Sequence, residues 1–186
     1  MDSALIFQAI EFAAAAHSGQ YRKGSRIPYI THPLRVSQIL LEEGCDDALA
    51  IAGVLHDTVE DCHISIKQIR SLFGEDVAFL VEGATEPHKW HSWEARKRHT
   101  IDFLQTATSS QLMLALADKL DNIRSIRADL ERIGEQAWSR FHRGRDQQRW
   151  YYRSLAEVFT SRLQAEPGER LALVFAHEVA VVFPEN

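Results

Sequence analysis

Apolar residues recur every three to four positions along almost the whole chain, and no long stretch alternates between polar and apolar residues. This spacing puts the apolar side chains on one face of an α-helix and does not suit a half-buried strand. The sequence therefore predicts an all-α fold, a single helical bundle. We expect helices after Ser3, from Thr31 or His32 to Gly44, from Asp46 or Asp47 through Val59, from Ser65 to Gly74, from Val77 to about Thr85, and over about 93–107, 110–130, 134–163 and 169–183. The apolar run in the last of these segments also suits a strand.

The length and charge of the chain limit its organisation and its partners. A chain of 186 residues can bury a substantial apolar core without disulfide bonds. We expect one helical domain over residues 1–164, with a helical extension over 165–186 packed on the same domain. The net charge of −5 argues against wrapping a nucleic acid, which requires a basic surface. The sequence does not indicate an oligomeric state.

Cysteine usage and hydropathy indicate the cellular environment. The two cysteines, Cys45 and Cys62, are too few for a disulfide framework in a chain of this length. The first residues lack the basic region of a signal peptide, and no apolar run reaches the length of a membrane-spanning helix. We therefore expect a cytoplasmic protein that does not bind membranes.

Polar side chains interrupt the third predicted helix, which is otherwise apolar on most sides. His56 and Asp57 are adjacent there, and Glu60 and Asp61 follow them at a spacing of four residues. Residues four apart lie on the same helix face, so two potential metal ligands and two further carboxylates are predicted to project to one region. The alternative is a polar patch at the end of a helix. Buried charges without partners are costly, which favours a functional site.

Two further residues extend this candidate ligand set. His32 lies at the start of a predicted helix, where it would alternatively face solvent. Asp118 lies within an apolar helix, where a neighbouring arginine would be the alternative partner. Together with His56 and Asp57 they form a set of nitrogen and oxygen ligands, which suits manganese, iron or a similar divalent ion better than a closed structural zinc site.

At this point the chain resembles the HD-domain metal-dependent phosphohydrolases, and within them the hydrolase domain of RelA/SpoT proteins. The resemblance covers about residues 4–130, and the short length together with Trp150-Tyr151-Tyr152 is similar to stand-alone small alarmone hydrolases, including the metazoan SpoT-like ones. The runs that carry it appear in the order of the family: residues 17–23 (HSGQYRK), 28–34 (PYITHPL), 56–61 (HDTVED), Phe73-Gly74, 81–85 (VEGAT) and 116–124 (LADKLDNIR).

The resemblance implies a metal-dependent hydrolase. Its metal would be one manganese ion, and its reaction would remove the 3′-pyrophosphate from guanosine 3′,5′-bis(diphosphate) or its pentaphosphate, giving GDP or GTP and pyrophosphate. By position in the family motifs, the metal ligands would be His32, His56, Asp57 and Asp118, the catalytic carboxylates Glu60 and Asp61, and the nucleotide-binding residues Arg22, Lys23, Asn122, Ser125 and Tyr151. The chain is too short to include a synthetase domain.

The chain also departs from the family pattern. The segment between Arg22 and His32 is one residue longer, and Asp121 stands where the family often has histidine, which changes the expected surroundings of the metal ligands. The segment 86–99 has no counterpart in the pattern, and its charged residues Glu94, Arg96, Lys97 and Arg98 are interpreted as a solvated helix face rather than a polyphosphate site.

Three alternatives to the leading hypothesis remain open at this point. The first is an HD phosphohydrolase that acts on another nucleotide, such as a dinucleotide phosphate. The second is a nucleotide sensor with a structural metal, which would have no need of Glu60 and Asp61. The third is a helical interaction protein without a metal, which would leave the buried acidic cluster unexplained.

Overall fold

The computed structural model describes residues 3–86 and 90–185, and over these residues the regular secondary structure is helical. The predicted all-α class is therefore confirmed. The helices are α1 (Ser3–Ala16), α2 (Thr31–Glu42), α3 (Asp47–Leu55), α4 (Thr58–Asp61), α5 (Ile66–Phe73), α6 (Glu75–Ala84), α7 (Trp93–Leu104), α8 (Ser109–Ile133), α9 (Arg145–Arg162) and α10 (Gly168–Val182), with a 3-10 helix, Gly134–Arg140, between α8 and α9. The predicted cap of the first helix, the side chain of Ser3, and residues 87–89 of the predicted loop lie outside the described part.

Helix α3 is at the centre of the bundle. Seven of its nine residues, Leu49 to Leu55, are buried, and it packs against α1, α2, α6 and α8. A side chain at Gly53 would place its Cβ 3.0 Å from the Cα of Ser37 on α2. Glycine at this position therefore allows α2 and α3 to approach closely, and this approach brings the start of α2 near the end of α3.

The third predicted helix is divided into α3 and α4 by a turn at His56 and Asp57. Side chains compete here for the carbonyl groups of α3. The hydroxyl of Thr58 donates to the carbonyl of Leu55 at 2.7 Å, and the His56 ring contacts the carbonyl of Gly53 at 2.9 Å. Such local side-chain hydrogen bonds favour the end of a helix. The prediction that the helix extends through Val59 is therefore wrong, and His56 and Asp57 form the turn between α3 and α4.

The predicted helix over 134–163 is also divided. Helix α8 ends at Gly134, whose φ of 60° lies in the left-handed region that favours glycine. A 3-10 helix follows to Arg140, and α9 starts at Arg145. The 3-10 segment is anchored by Trp138, whose ring stacks on Phe183 with 5.4 Å between centroids.

The last segment forms a helix, α10, and not the strand that its apolar run also suited. It packs on α8 and α9, and the buried carboxylate of Glu178 accepts a hydrogen bond of 2.7 Å from Arg127 on α8. The proposed division between residues 164 and 165 stays a prediction. No helix in the described part of the chain combines the length and the apolar character that crossing a membrane requires.

Candidate functional site

The four predicted metal ligands converge between the start of α2, the α3–α4 turn and α8. Side-chain donor atoms of His32, His56 and Asp118 all lie within 4.8 Å of one another. An oxygen of Asp57 lies 3.0 Å from Nε2 of His56 and 3.6 Å from Nε2 of His32. Two imidazole nitrogens and two carboxylates thus face a common point, an arrangement that fits a divalent cation of mixed nitrogen and oxygen preference.

Hydrogen bonds at the far side of each imidazole ring orient the two histidines. The Nδ1 of His56 donates to the carbonyl of Gly53 at 2.9 Å, and the Nδ1 of His32 donates to the carboxylate of Asp121 at 2.6 Å. Both Nε2 atoms are thereby left to coordinate a metal. The Nε2 of His56 is buried and makes no well-directed hydrogen bond with any described residue, although an oxygen of Asp57 lies 3.0 Å away. The donor set therefore fits the implied metal.

The charged side chains of the cluster shift one another's pKa values strongly. Burial lowers the pKa of His56, but the adjacent Asp57 carboxylate and Asp118 outweigh burial and raise that pKa to about 9. Burial likewise raises the pKa of Asp57, but His56 and His32 hold it well below its usual range. The Asp118 pKa is also far below normal despite burial, chiefly because of Lys119. In the metal-free protein a proton on His56 thus balances the carboxylates, and a metal ion must displace it.

The ligands lie on the wall of a cavity of about 370 Å³. Both predicted catalytic carboxylates, Glu60 and Asp61, line it. A carboxylate oxygen of Glu60 accepts a hydrogen bond of 3.1 Å from the backbone amide of Glu86, which fixes the carboxylate near the ligands. Six carboxylates and two lysines line the cavity. Without a metal ion this cavity repels an anionic substrate, because its carboxylates outnumber its cations.

Four of the five predicted nucleotide-binding residues line a second, smaller cavity of about 140 Å³. These are Arg22, Lys23, Asn122 and Ser125. Asn122 lines both cavities: its amide accepts a hydrogen bond of 3.2 Å from Arg22 and donates one to the metal ligand Asp118. The two cavities are therefore adjacent, with cationic side chains on the side away from the metal cluster.

The fifth predicted nucleotide-binding residue, Tyr151, does not line the small cavity. It lines the metal cavity, and the ammonium of Lys97 lies 5.3 Å from the centre of its ring. The small cavity is lined instead by the next residue, Tyr152. Consecutive residues of a helix point in directions about 100° apart, so Tyr151 and Tyr152 face different cavities.

Four residues of the site were not assigned from the sequence. Tyr29 donates a hydrogen bond of 2.6 Å to Asp57, and Asp121 orients His32. The ammonium of Lys119 lies 2.6 Å from an oxygen of Asp118, and Lys97 lines the cavity while paired with Glu86 at 3.0 Å. Lys119 and Tyr29 lie within the motif runs, which was a usable signal, whereas no sequence pattern pointed to Lys97.

The other charged residues of the 86–99 segment lie outside this cavity. Arg96 pairs with Glu86 at 2.6 Å, and Glu94 pairs with Arg143 on the protein surface. The guanidinium of Arg98 lies 6.0 Å from the ring centre of Trp150. The interpretation as a solvated helix face thus suits Glu94 and Arg98, whereas Lys97 faces the cavity.

Comparisons with known proteins identify the family to which the chain is similar. The HD domain family model matches residues 9–146. The guanosine-3′,5′-bis(diphosphate) 3′-pyrophosphohydrolase MESH1 of Xenopus tropicalis is 40% identical over 141 residues, which cover 74% of this chain and 76% of that protein. The GTP pyrophosphokinase of Streptomyces coelicolor is 42% identical over 125 residues, and the matched part is only 15% of its length.

A solved structure is also similar over nearly the whole chain. It is that of a metazoan ortholog of SpoT that hydrolyses ppGpp, and it superposes with a TM-score of 0.78 at 29% sequence identity, covering 96% of this chain and 97% of the other. The family model spans well over half of the chain and includes all four candidate ligands. The chain therefore belongs to the HD domain family.

Proposed function

We propose that this protein hydrolyses guanosine 3′,5′-bis(diphosphate), or its pentaphosphate, at the 3′-pyrophosphate, with one manganese ion. The observation that carries the proposal is the convergence of two imidazole nitrogens and two carboxylates beside a small cavity lined by Arg22 and Lys23. Relatives at 40% and 36% identity, from Xenopus tropicalis and Drosophila melanogaster, bear the name of this activity and are matched over most of their length.

The carboxylates around the cluster support the choice of a metal-dependent reaction. A pyrophosphate group carries several negative charges, and carboxylates outnumber lysines by six to two in the lining of the metal cavity. A divalent ion bound there lowers the pKa of water and polarises a phosphoryl oxygen. His32, His56, Asp57 and Asp118 would hold it. Manganese is the ion that the resemblance to the RelA/SpoT hydrolase domain implies, and the mixed nitrogen and oxygen donors suit it.

Glu60 and Asp61 are proposed to act on the attacking water. Both lie one helical turn beyond His56 and Asp57 and line the same cavity. A carboxylate within hydrogen-bond reach of water can orient it and accept its proton as the new bond forms. The backbone amide of Glu86 holds Glu60 in place for this role.

In the proposed reaction, the water oxygen forms a bond to the phosphorus that carries the ribose 3′-oxygen. The bond between this phosphorus and the 3′-oxygen breaks, and the 3′-oxygen takes up a proton to become a hydroxyl. The products are the nucleoside 5′-diphosphate or 5′-triphosphate and pyrophosphate. Arg22 and Lys23 would bind the nucleotide at the cationic end of the site. Asn122 links Arg22 to the metal ligand Asp118 by hydrogen bonds to both.

The test is turnover of ppGpp by the manganese-loaded protein, measured as released pyrophosphate beside a panel of other nucleotides. Glu60→Gln is expected to lower the rate at least about a hundredfold while manganese still binds. Asp57→Ala is expected to abolish both turnover and tight metal binding. Glu82→Gln serves as the matched control, because Glu82 lines the same cavity with a largely exposed side chain.

Three outcomes contradict the proposal in different ways. Turnover of another nucleotide but not of ppGpp indicates a different substrate for the same chemistry. Binding of manganese and nucleotide without turnover indicates a sensor. A protein that neither binds manganese nor changes its melting temperature when manganese is added has no functional metal site.

A further inference from the structure

A third cavity adjoins the candidate active site and shares Arg22, Ser125 and Arg140 with the small cavity. It is a groove of about 690 Å³ between α2, α8 and the turn at residues 24–27. Arginines dominate its lining, and we refer to it as the arginine groove. The arginines are Arg22, Arg26, Arg35, Arg124, Arg132 and Arg140.

The arginine groove is positively charged in a protein that is negative as a whole. Six arginines face three carboxylates in its lining, whereas the net charge of the chain is −5. The composition of the chain, which is negative overall, does not account for this excess of positive charge on one face. Because like charges held together destabilise a folded protein, a concentration of arginines favours the binding of an anion.

Two of the three carboxylates each contact two arginines, so some guanidinium N–H donors remain available for a ligand. Asp129 pairs with Arg132 and Arg140, and Asp121 is contacted by Arg22 and Arg35. Each guanidinium has five N–H donors, and one shared carboxylate cannot accept all of those from two arginines.

Arg26 provides a further free cation on the rim of the groove. Its side chain is exposed, and no contact of it with a charged or polar side chain is found among the described residues. The groove therefore combines guanidinium donors that are already fixed in position with one that is free to approach a ligand.

The shape and the chemistry of the groove indicate the class of ligand. Guanidinium groups bind phosphate oxygens in paired hydrogen bonds, and several guanidinium groups along one groove suit a chain of phosphates rather than a single ion. We propose that the arginine groove is a second binding site, which takes an oligophosphate anion such as pyrophosphate. This inference does not depend on the proposed hydrolysis.

The position of the groove suggests two sources for the oligophosphate. Arg22, Ser125 and Arg140 line both the groove and the small cavity. A nucleotide whose base and ribose occupy the small cavity can therefore extend its 5′-phosphate chain into the groove. A free oligophosphate can equally enter from solvent, since Arg26 and Arg132 in the lining of the groove are exposed.

The test measures pyrophosphate binding to the metal-free protein by isothermal titration calorimetry, so it needs no catalytic activity. The variant Arg26→Ala/Arg132→Ala removes two exposed arginines of the groove. It is expected to weaken binding roughly tenfold without changing the melting temperature. Arg149→Ala is the matched control, because Arg149 on α9 is half-buried, forms an ion pair with Asp146 and lines none of the three cavities.

Competition then distinguishes the two sources. If guanosine 5′-diphosphate displaces pyrophosphate and guanosine does not, the groove holds the phosphate chain of a nucleotide. If guanosine 5′-diphosphate and pyrophosphate bind together, the groove holds a free oligophosphate. The proposal is overturned if pyrophosphate does not bind at millimolar concentration, or if the double variant binds it as tightly as Arg149→Ala does.

Discussion

The hydrogen bond between His32 and Asp121 gives a sharp prediction about metal affinity. His32 is 1% exposed and Asp121 is 4% exposed, and 2.6 Å separates the Nδ1 of the imidazole from the carboxylate oxygen. A carboxylate that accepts this hydrogen bond raises the electron density at the opposite Nε2, which is the atom that faces the metal cluster. Asp121→Asn keeps the size and one acceptor oxygen but removes the charge.

The magnitude follows from the kind of hydrogen bond. A hydrogen bond to a charged acceptor contributes about 1.5–3 kcal/mol, compared with about 1 kcal/mol for a neutral pair. The lost difference of about 0.5–2 kcal/mol corresponds to roughly twofold to thirtyfold in metal affinity. Asp121→Ala leaves the imidazole without a partner, and we expect a loss of about a hundredfold, at the upper end of such effects.

The assay is competition for manganese with a fluorescent chelator at a fixed pH and ionic strength. Asp129→Asn is the matched control: Asp129 lies on the same helix, α8, and pairs with Arg132 and Arg140 but with no histidine. We expect this control to bind manganese like the unaltered protein. Equal affinities for Asp121→Asn and Asp129→Asn would refute the idea that Asp121 tunes His32.

Three further predictions concern protonation and packing. The pKa of His56 is raised to about 9, so the affinity for manganese should rise with pH up to about 9. Calorimetry in two buffers near pH 7.5 should detect about one proton released per bound ion, and the absence of proton release would contradict this prediction. Lys97 and Arg96 lower the pKa of Glu86 despite partial burial. Glu86→Gln should therefore destabilise the protein by about 1–2 kcal/mol near neutral pH, and this difference should be lost only as the pH falls through the lowered pKa, below the usual range of a glutamate. A pH-independent difference in denaturation midpoint would argue against it. A Cβ at residue 53 would lie 3.0 Å from the Cα of Ser37, so Gly53→Ala should cost about 1–3 kcal/mol in urea denaturation, and an unchanged midpoint would show that α2 and α3 can separate.

The helical class and the convergence of the candidate ligands could be anticipated from the sequence. Apolar residues at helical spacing fix the fold class, since each helix must bury one face. Asp118 interrupts an apolar helix, and a buried carboxylate requires a partner. His56 and Asp57 follow directly after α3, in which seven of nine residues are buried. These signals are local, so a single sequence contains them.

The roles that depend on how two helices cross could not be anticipated. Asp121 meets His32 across 89 residues of sequence, and only the rotation of α8 against α2 decides that this aspartate faces the imidazole. The break at His56 depends on the hydroxyl of Thr58 competing with the backbone for a carbonyl group, a choice that helical periodicity does not reveal. Lys97 belongs to a helix rich in charged residues, and the direction of its side chain is set by the ion pair with Glu86.

The most direct test of the central claim is to identify the products formed from ppGpp by the manganese-loaded protein. Phosphorus NMR distinguishes pyrophosphate from orthophosphate, and chromatography identifies the nucleoside product. We expect GDP and pyrophosphate in equal amounts, with no product formed by His56→Ala. Release of orthophosphate, or an intact ppGpp after prolonged incubation with a metal-loaded protein, would contradict the claim that this site hydrolyses the 3′-pyrophosphate.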